Sequence, residues 1–294
     1  MMILVTGAAG KTGRSVIRAL AADGEPVRAL VRRPEQAALV ESLGARQVVA
    51  GDMLQPSTLD QAARGTRAVY HICPNVNPAE VDIGQVAISA ARAAGVEHFV
   101  YHSVLHPQTE AMPHHWLKLR VEERLLESGL PCTILQPAAY MQNILAQWDR
   151  ITQAGVYRVP YGTTTRLSMV DLEDVALAAA RVLRDPGHVG ATYELVGTQP
   201  MSQIEIAAVL SQETRRVVQT ETMPLSEWEQ QARSVGLGDY QVDALLKMFR
   251  YYERHEFGGN PQVLSWLLER LPTTFASFVR SHVRAQSNDP VKNG

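Results

Sequence analysis

The sequence has little that would place it among secreted, membrane or nucleic-acid-binding proteins. Its 294 residues include two cysteines without motif spacing, which indicates reduced thiols in a cytoplasmic protein rather than a disulfide framework. The formal net charge is −2, so no electrostatic pattern favours a nucleic acid or a membrane surface as a partner. No stretch approaches the roughly 20 apolar residues of a membrane helix, and the short apolar start is not a signal peptide.

Motifs for several other chemistries are also missing. No G-x-S-x-G sequence supports a hydrolase nucleophile. His98 and His102 share one face of a predicted strand, but no cysteine or carboxylate stands at ligand spacing, so no metal site is predicted. No basic recognition helix supports a DNA-binding repressor. The composition, 46% hydrophobic, fits a globular chain with one large and one small domain.

The first half of the chain alternates short β-branched runs with amphipathic stretches. This pattern predicts strands at residues 3–6, 27–31, 47–50, 68–72, 98–103 and 132–136, and helices at 11–22, 35–43, 57–63, 81–94 and 113–127. Such alternation indicates a doubly wound α/β fold, in which helices cover both faces of a parallel sheet. Ligands of this fold bind beyond the carboxyl ends of the strands.

The second half loses this rhythm and becomes mostly helical, with a predicted helix at 171–183 and a strand at 192–196. We therefore predict a ligand-binding α/β domain at residues 1–155 and a smaller, mostly helical substrate-side domain at 156–285. Whether parts of residues 166–197 return to the main sheet is left open. The polar composition of residues 286–294 predicts a disordered tail.

The strongest pattern is "ILVTGAAGKTGRSVIRAL" near the start of the chain. Its glycines stand at G-x-x-G-x-x-G spacing between the first predicted strand and the first predicted helix. They permit a tight turn and bring the backbone close to a pyrophosphate, while the helix N-terminus offers N–H groups and a positive dipole. The loop predicts a dinucleotide site formed by Gly7, Ala9, Gly10, Lys11, Thr12 and Gly13.

The end of the second strand indicates which dinucleotide is bound. Arg32 and Arg33 stand where an acid that binds a ribose 2′-hydroxyl is otherwise found. They favour NADP(H) over NAD(H), because arginine accommodates the 2′-phosphate, and Lys11 adds a further charge. A solvated basic pair is the alternative interpretation.

The ends of the third and fourth strands supply further candidates for cofactor binding. Asp52, followed by Met53, is placed to accept a hydrogen bond from the adenine amine, although a turn or capping aspartate is the alternative. Cys73 and Pro74 follow the fourth strand and are expected beneath the ribose and nicotinamide.

Longer segments occur in a familiar order: "VTGAAGKTG", "ALVRRP", "VVAGDM", "AARAAGVEHFVYHSV", "KLRVEERLLESGLPCTILQPAAYMQN", "VDLEDVALAAARVL" and "FGGNPQVLSWLLERLPTTFASFV". Together they resemble the NmrA-like family of atypical short-chain dehydrogenase/reductases over nearly the whole chain, to about Val283. The resemblance implies a Rossmann fold that binds NADP(H). It leaves the activity open, because the family includes quinone and triphenylmethane reductases as well as NADP(H)-sensing regulators without established catalysis.

Short-chain dehydrogenases typically carry Tyr-x-x-x-Lys on the helix after the fifth strand and a serine at the end of that strand. The tyrosine donates or accepts the proton, and the lysine lowers the tyrosine pKa and binds the nicotinamide ribose. The resemblance places Lys118 at the lysine position and Ser103 at the serine position, but His114 stands where the tyrosine is expected. His114, Lys118 and Glu122 share one helix face, so Glu122 is expected to orient Lys118; a surface ion pair is the alternative.

The proton donor is open at this point. His114 is one candidate, because an unperturbed imidazole pKa of about 6.5 suits neutral pH. An exposed, incidental histidine at a helix start is the alternative, with Lys118 or water as the proton source.

Substrate contacts are expected from two loops after strands. His102 and His106 lie in "YHSVLHP" at the end of the fifth strand, and Tyr140 and Met141 follow the sixth. Tyr140 and Asn143 are also expected to reach the cofactor. For Tyr140 and Met141, packing in the core is equally consistent with the sequence.

Two functions follow from these patterns. The leading hypothesis is an NADPH-dependent reductase of a small quinonoid or aromatic acceptor, favoured by Ser103 and Lys118. The alternative, favoured by the missing tyrosine, is a non-catalytic NADP(H) sensor that acts through a protein partner. The residues leave open whether the chain forms a homodimer.

Overall fold

The computed structural model describes residues 1–287 of the chain. Within this range the chain divides into two compact units. The first consists of Met1–Pro137 and Val175–Leu195, and the second of Ala138–Asp174 and the described residues from Val196 onward. None of the helices described is long and apolar enough to span a bilayer.

The strands are mostly short, and the longer ones lie in the first unit. They are β1 (Met2–Val5), β2 (Val27–Val31), β3 (Ala45–Ala50), β4 (Thr66–His71), β5 (His98–His102), β6 (Cys132–Pro137), β7 (Ala139–Tyr140), β8 (Val156–Val159), β9 (Arg166–Leu167), β10 (Met169–Val170), β11 (Thr192–Leu195), β12 (Met201–Ser202) and β13 (Gln219–Thr222).

The helices cover the sheet of the first unit and make up most of the second. They are α1 (Lys11–Ala22), α2 (Ala37–Glu41), α3 (Pro56–Ala63), α4 (Glu80–Ala93), α5 (Pro113–Glu127), α6 (Leu172–Arg184), α7 (Gln203–Thr214), α8 (Leu225–Ser234), α9 (Asp239–His255), α10 (Gln262–Leu268) and α11 (Phe275–Ser287). Short 3₁₀ segments precede α2 and follow β7, and a π-helical turn spans Arg150–Ala154.

The first unit is built on a parallel sheet of strand order β11-β6-β5-β4-β1-β2-β3. The interior strands β1, β4 and β5 are almost entirely buried because helices cover both faces of the sheet. The strand order reverses between β1 and β4, and the loops that follow these strands therefore open a crevice at their carboxyl ends. The predicted doubly wound α/β fold is confirmed.

The second unit has its own hydrophobic core. Its main cluster combines Met141 and Trp148 with residues of α7 and α11, including Leu210 and Phe275. Three two-stranded pairs border it: parallel β7–β10 and β8–β13, and antiparallel β9–β12.

The observed division differs from the boundary expected at residue 155. Residues 138–155 belong to the second unit, because their apolar side chains, such as Ile144 and Ile151, pack in that unit's core. β11 joins the main sheet beside β6, so part of residues 166–197 does return to it. Of the predicted tail 286–294, residues 286–287 end α11, and 288–294 lie outside the described residues.

Candidate functional site

Two glycines at the junction of β1 and α1, Gly7 and Gly13, stand where no side chain fits. A Cβ on Gly13 would lie 2.5 Å from the Gly7 carbonyl oxygen and 2.7 Å from the Ala8 Cα. Gly7 has φ +58°, and a Cβ there would approach the Ile72 carbonyl oxygen to 2.9 Å. Gly10 caps α1 without any side-chain hydrogen bond, and no acidic residue lies in the first turn. The helix N-terminus is therefore available to an anion.

A cavity of about 370 Å³ opens beside this loop. It reaches along the carboxyl ends of β1, β2 and β3 and past the loop after β4. Its walls are formed by Gly7, Ala8, Ala9, Gly10, Leu30, Val31, Arg32, Gln36, Gly51, Asp52, Met53, Leu54, Pro74, Asn77 and Ile83.

The two arginines after β2 have different positions relative to the cavity. Arg32 lines the cavity, whereas Arg33 precedes the 3₁₀ turn and is held through its backbone N–H, which donates to Gln36 Oε1 at 3.0 Å. Both side chains are exposed. Gln36 also lines the cavity, so it borders the ligand space and fixes the turn that carries the arginines.

Asp52 forms a turn, which was its alternative interpretation, and its hydrogen bond to the adenine amine stays a prediction. It lines the cavity with Met53, and its Oδ1 accepts the backbone N–H of Leu54 at 2.9 Å, as in an Asx turn. Pro74 also lines the cavity, whereas the neighbouring Cys73 is a buried free cysteine. Burial and the charge of Glu80 raise the pKa of the Cys73 thiol, so it stays protonated.

Lys118 is buried in the second turn of α5 and pairs with a carboxylate from another helix. Its Nζ donates to Glu80 Oε1 at 2.9 Å and to the His102 carbonyl oxygen at 3.4 Å. Among the described residues these contacts account for two of the three ammonium donors, which leaves one for a ligand. Tyr101 donates its hydroxyl to the same Glu80 oxygen at 2.8 Å, and Lys118 Nζ lies 5.5 Å from the Tyr101 ring centroid.

Glu122 has a different partner from the one expected. It accepts the Ser103 hydroxyl hydrogen at Oε1, and Gln136 Nε2 donates to its two oxygens at 3.0 and 3.1 Å. Glu122 therefore orients Ser103, while Glu80 pairs with Lys118. The expectation that Glu122 orients Lys118 was wrong, and so was the surface-pair alternative, because Lys118 and Glu122 are both buried. Ser103 gives its hydrogen to Glu122, so toward a ligand its oxygen is an acceptor.

Two of the histidines expected at the site, His102 and His114, are buried and neutral at neutral pH. Burial and the charge of Lys118 lower the pKa of His102 to about 3, and burial lowers the pKa of His114 to about 4. His114 therefore lacks the near-neutral pKa on which its role as a proton donor was based. His102 Nδ1 lies 2.7 Å from the Tyr70 hydroxyl, and His106, half-buried, has a φ of +52°.

The remaining sequence-based candidates belong to the second unit. Met141 is fully buried in that unit's core, Tyr140 is half-buried and Asn143 is exposed. Their contacts with cofactor or substrate stay predictions. Within residues 1–287, no group of three or more His, Cys, Asp or Glu side chains is arranged to hold a metal ion.

Sequence reasoning missed Glu80 and Tyr101, as well as the hydrogen bonds from Gln136 to Glu122. Glu80 lies 38 positions before Lys118, a separation that no helix or strand period connects. One local signal was present, since an acid in the first turn of α4 complements the helix dipole, but that signal points to a surface cap. Gln136 and Tyr101 lie in predicted strands and carry no spacing motif.

The fold and the crevice define a dinucleotide-binding protein of the Rossmann class. Three features fit a dinucleotide phosphate. They are the glycine loop with no room for a Cβ at Gly7 or Gly13, the uncapped N-terminus of α1, and the adjoining cavity with Arg32. The sequence profile of the NmrA-like family matches residues 1–279, and the chain belongs to this family, as expected.

Similar proteins align with nearly the whole chain. An NAD(P)H azoreductase from Xenophilus azovorans is 32% identical over 288 residues, 97% of this chain and 99% of the relative. An NADPH-dependent quinone oxidoreductase from Escherichia coli, crystallised with NADPH, has a TM-score of 0.84 at 28% identity and covers 96% of this chain and 100% of its own. Triphenylmethane reductase from Citrobacter sp., complexed with NADP(H), has a TM-score of 0.83 at 26% identity, with 96% and 99% covered.

Proposed function

We propose that this protein is an NADP(H)-dependent reductase that transfers a hydride to a small quinonoid or aromatic acceptor. The observation that carries the proposal is the pairing of a glycine cradle with a buried lysine in the same unit. Relatives of the same length named for azo compounds, quinones and triphenylmethane dyes support the class of acceptor. A cytoplasmic location is proposed from the sequence alone.

Bound NADPH would supply the hydride. The amides at the start of α1 and the loop from Gly7 to Gly13 would hold its pyrophosphate, and Arg32 with Arg33 would hold the 2′-phosphate. Lys118 would use its remaining donor on the nicotinamide ribose or on the acceptor oxygen, and Ser103 would accept a hydrogen bond there. Since His114 is neutral at pH 7, the proton added to the acceptor would come from Lys118 or water.

A non-catalytic NADP(H) sensor is the second candidate, favoured by His114 in place of the tyrosine. NADPH oxidation by the purified protein, followed against quinones, azo dyes and triphenylmethane dyes, separates the two. Turnover that falls about 100-fold in Lys118→Met supports the reductase. No turnover with any acceptor, together with tight NADPH binding, supports the sensor.

Cofactor preference has a separate test. Replacing both Arg32 and Arg33 by alanine is expected to weaken NADPH binding by about tenfold or more while leaving NADH binding nearly unchanged, because only NADPH carries the 2′-phosphate. Arg46→Ala, an exposed arginine on β3, is the matched control. Equal losses for both cofactors would reject the assignment.

A further inference from the structure

Glu80 is more deeply buried than a helix-capping acid needs to be. It is the first residue of α4 and only 3% of its surface is exposed. An acid that served only the helix dipole could do so while exposed to water, whereas burying a carboxylate is costly unless it is paired. The burial of Glu80 therefore indicates that its carboxylate serves the groups it contacts rather than the helix dipole alone.

The partners of Glu80 come from three different elements. Lys118 of α5 and the hydroxyl of Tyr101 on β5 both donate to Oε1, at 2.9 and 2.8 Å. The thiol of Cys73, in the loop after β4, also hydrogen-bonds the carboxylate. Burial by itself would raise the pKa of Glu80, but the charge and hydrogen bonds of these partners, Lys118 first, lower it overall. Glu80 is therefore an anion at neutral pH.

The close approach of α4 and α5 permits this pairing. Gly84, one turn after Glu80, faces Val121 so closely that an added Cβ would lie 2.7 Å from Val121 Cγ1. Lys118 lies three residues before Val121 on the same helix. The small residue on α4 thus sets the helix spacing at which Lys118 reaches Glu80.

The loop that bears Glu80 also borders the cofactor cavity. Asn77 lines the cavity, its Oδ1 accepts the Ala79 N–H at 2.9 Å, and its carbonyl accepts the Glu80 N–H at 3.2 Å. Pro74, next to Cys73, lines the same cavity. Hydrogen bonds from Asn77 to the backbone at the start of α4 therefore connect the cavity wall with the residue that holds Lys118.

Other ionisable groups face Lys118 but do not neutralise it. Besides Glu80 and Tyr101, they are His71, Cys73, His102, His114, His115 and Glu122. Burial lowers the pKa of each histidine, to about 4 for His71, so these rings are uncharged near neutral pH. Glu122 is bound to Ser103 and Gln136.

We propose that Glu80 is a positioning residue that keeps Lys118 charged and connects it to the loop bordering the cofactor cavity. The contact of Lys118 with the cofactor rests on the proposed reductase function, whereas the effect of Glu80 on the charge of Lys118 does not. Without the carboxylate, a buried ammonium is destabilised relative to the neutral amine, and a neutral Lys118 is a weaker donor to a bound ligand.

Glu80→Gln tests this inference, because it keeps the shape and the acceptor oxygen but removes the charge. The chain has four lysines, so ¹³C labelling of their ε-carbons resolves Lys118, assigned by its loss in Lys118→Met. We expect the Lys118 signal of Glu80→Gln to move to its neutral-amine position at a lower pH than in the wild type. NADPH binding, measured by cofactor fluorescence, is expected to weaken about tenfold at about pH 9 and less than about twofold at about pH 6, where the ammonium is retained.

The matched control is Glu25→Gln, which removes the carboxylate of the partly buried Arg67–Glu25 pair in the same unit. It is expected to leave both the Lys118 titration and NADPH affinity unchanged at either pH. An unaltered Lys118 titration in Glu80→Gln, or a loss of NADPH affinity equal at both pH values, would overturn the inference. The ¹³C measurement needs neither cofactor nor acceptor, so it is readable even when the wild type shows no reductase activity.

Discussion

Two buried carboxylates in the first unit have opposite electrostatic environments. Glu80 faces an ammonium, a phenol and a thiol. Burial would raise its pKa, but the charge of Lys118 and the hydrogen bonds of all three groups together lower it. Glu122 faces a hydroxyl and an amide, so burial dominates and its pKa is raised. The depth of burial is similar, at 3% and 6% exposed. The partners of each carboxylate, rather than its depth of burial, therefore account for the opposite directions of the two pKa shifts.

The largest expected effect comes from removing the anion beside Lys118. Glu80→Leu leaves a buried ammonium unpaired and is expected to lower the free energy of unfolding by about 3–5 kcal/mol. Urea denaturation at neutral pH measures this change.

The control for that variant is the double substitution Glu80→Leu with Lys118→Met. An apolar pair of similar volume contains no buried charge, so the double variant is expected to regain most of the lost stability. A double variant as unstable as Glu80→Leu would show that shape, not charge, dominates at this position.

The second expected effect concerns the neutral partners of Glu122. Ser103→Ala removes a hydroxyl donor from a buried carboxyl and is expected to cost about 2 kcal/mol of unfolding free energy. Ser128→Ala is the control, since the Ser128 hydroxyl donates to the backbone carbonyl of Leu125, and its loss is expected to cost about 1 kcal/mol. Equal costs would argue against a special role of Glu122 in holding Ser103.

Glu122→Gln is expected to have a smaller effect. Its neighbours Ser103 and Gln136 are neutral and can rotate to hydrogen-bond an amide, so the unfolding free energy should change by less than about 1 kcal/mol. Glu80→Gln, compared under the same conditions, should cost more because it leaves the buried ammonium of Lys118 without an anionic partner. The comparison of the two carboxylates fails if the two glutamine variants are equally destabilised.

The smallest expected effect is a difference in the sign of the pH dependence. Because the Glu80 pKa is lowered from 4.5, its contribution to stability is full above that value and is lost as pH falls through the lowered pKa. Because the Glu122 pKa is raised from 4.5, its contribution is present below that value and is lost as pH rises through the raised pKa. The unfolding free energy of the wild type minus that of each glutamine variant, measured from about pH 3.5 to pH 7.5, should therefore change in opposite directions. Parallel curves would contradict these assignments.

Much of the fold was predictable because its signals are local. The predicted helices at 11–22 and 113–127 agree with α1 and α5 residue for residue, since their apolar periods and flanking residues lie within one element. The glycine loop was predictable for the same reason, because its spacing reports the backbone of a single turn. The unit boundary near residue 137 was missed, since it depends on which core the residues after β6 join.

The candidate site was only partly predictable. Helix spacing placed Lys118 and Glu122 on one face of α5, and both are indeed buried there. Helix spacing could not reveal that Ser103, after β5, and Gln136 of β6 both hydrogen-bond Glu122. Nor could it show that α4 brings Glu80 to Lys118. Nor could it reveal that the imidazole of His114 is buried and neutral.

The sequence by itself determined the strand and helix rhythm, the glycine cradle and the basic pair after β2, because each follows from side-chain periods or from the backbone freedom of a few adjacent residues. Only the tertiary structure decided which carboxylate holds Lys118. The parallel sheet brings the starts of α4 and α5 together across 38 residues of chain, and burial then makes the charge of each neighbour decide which groups stay ionised.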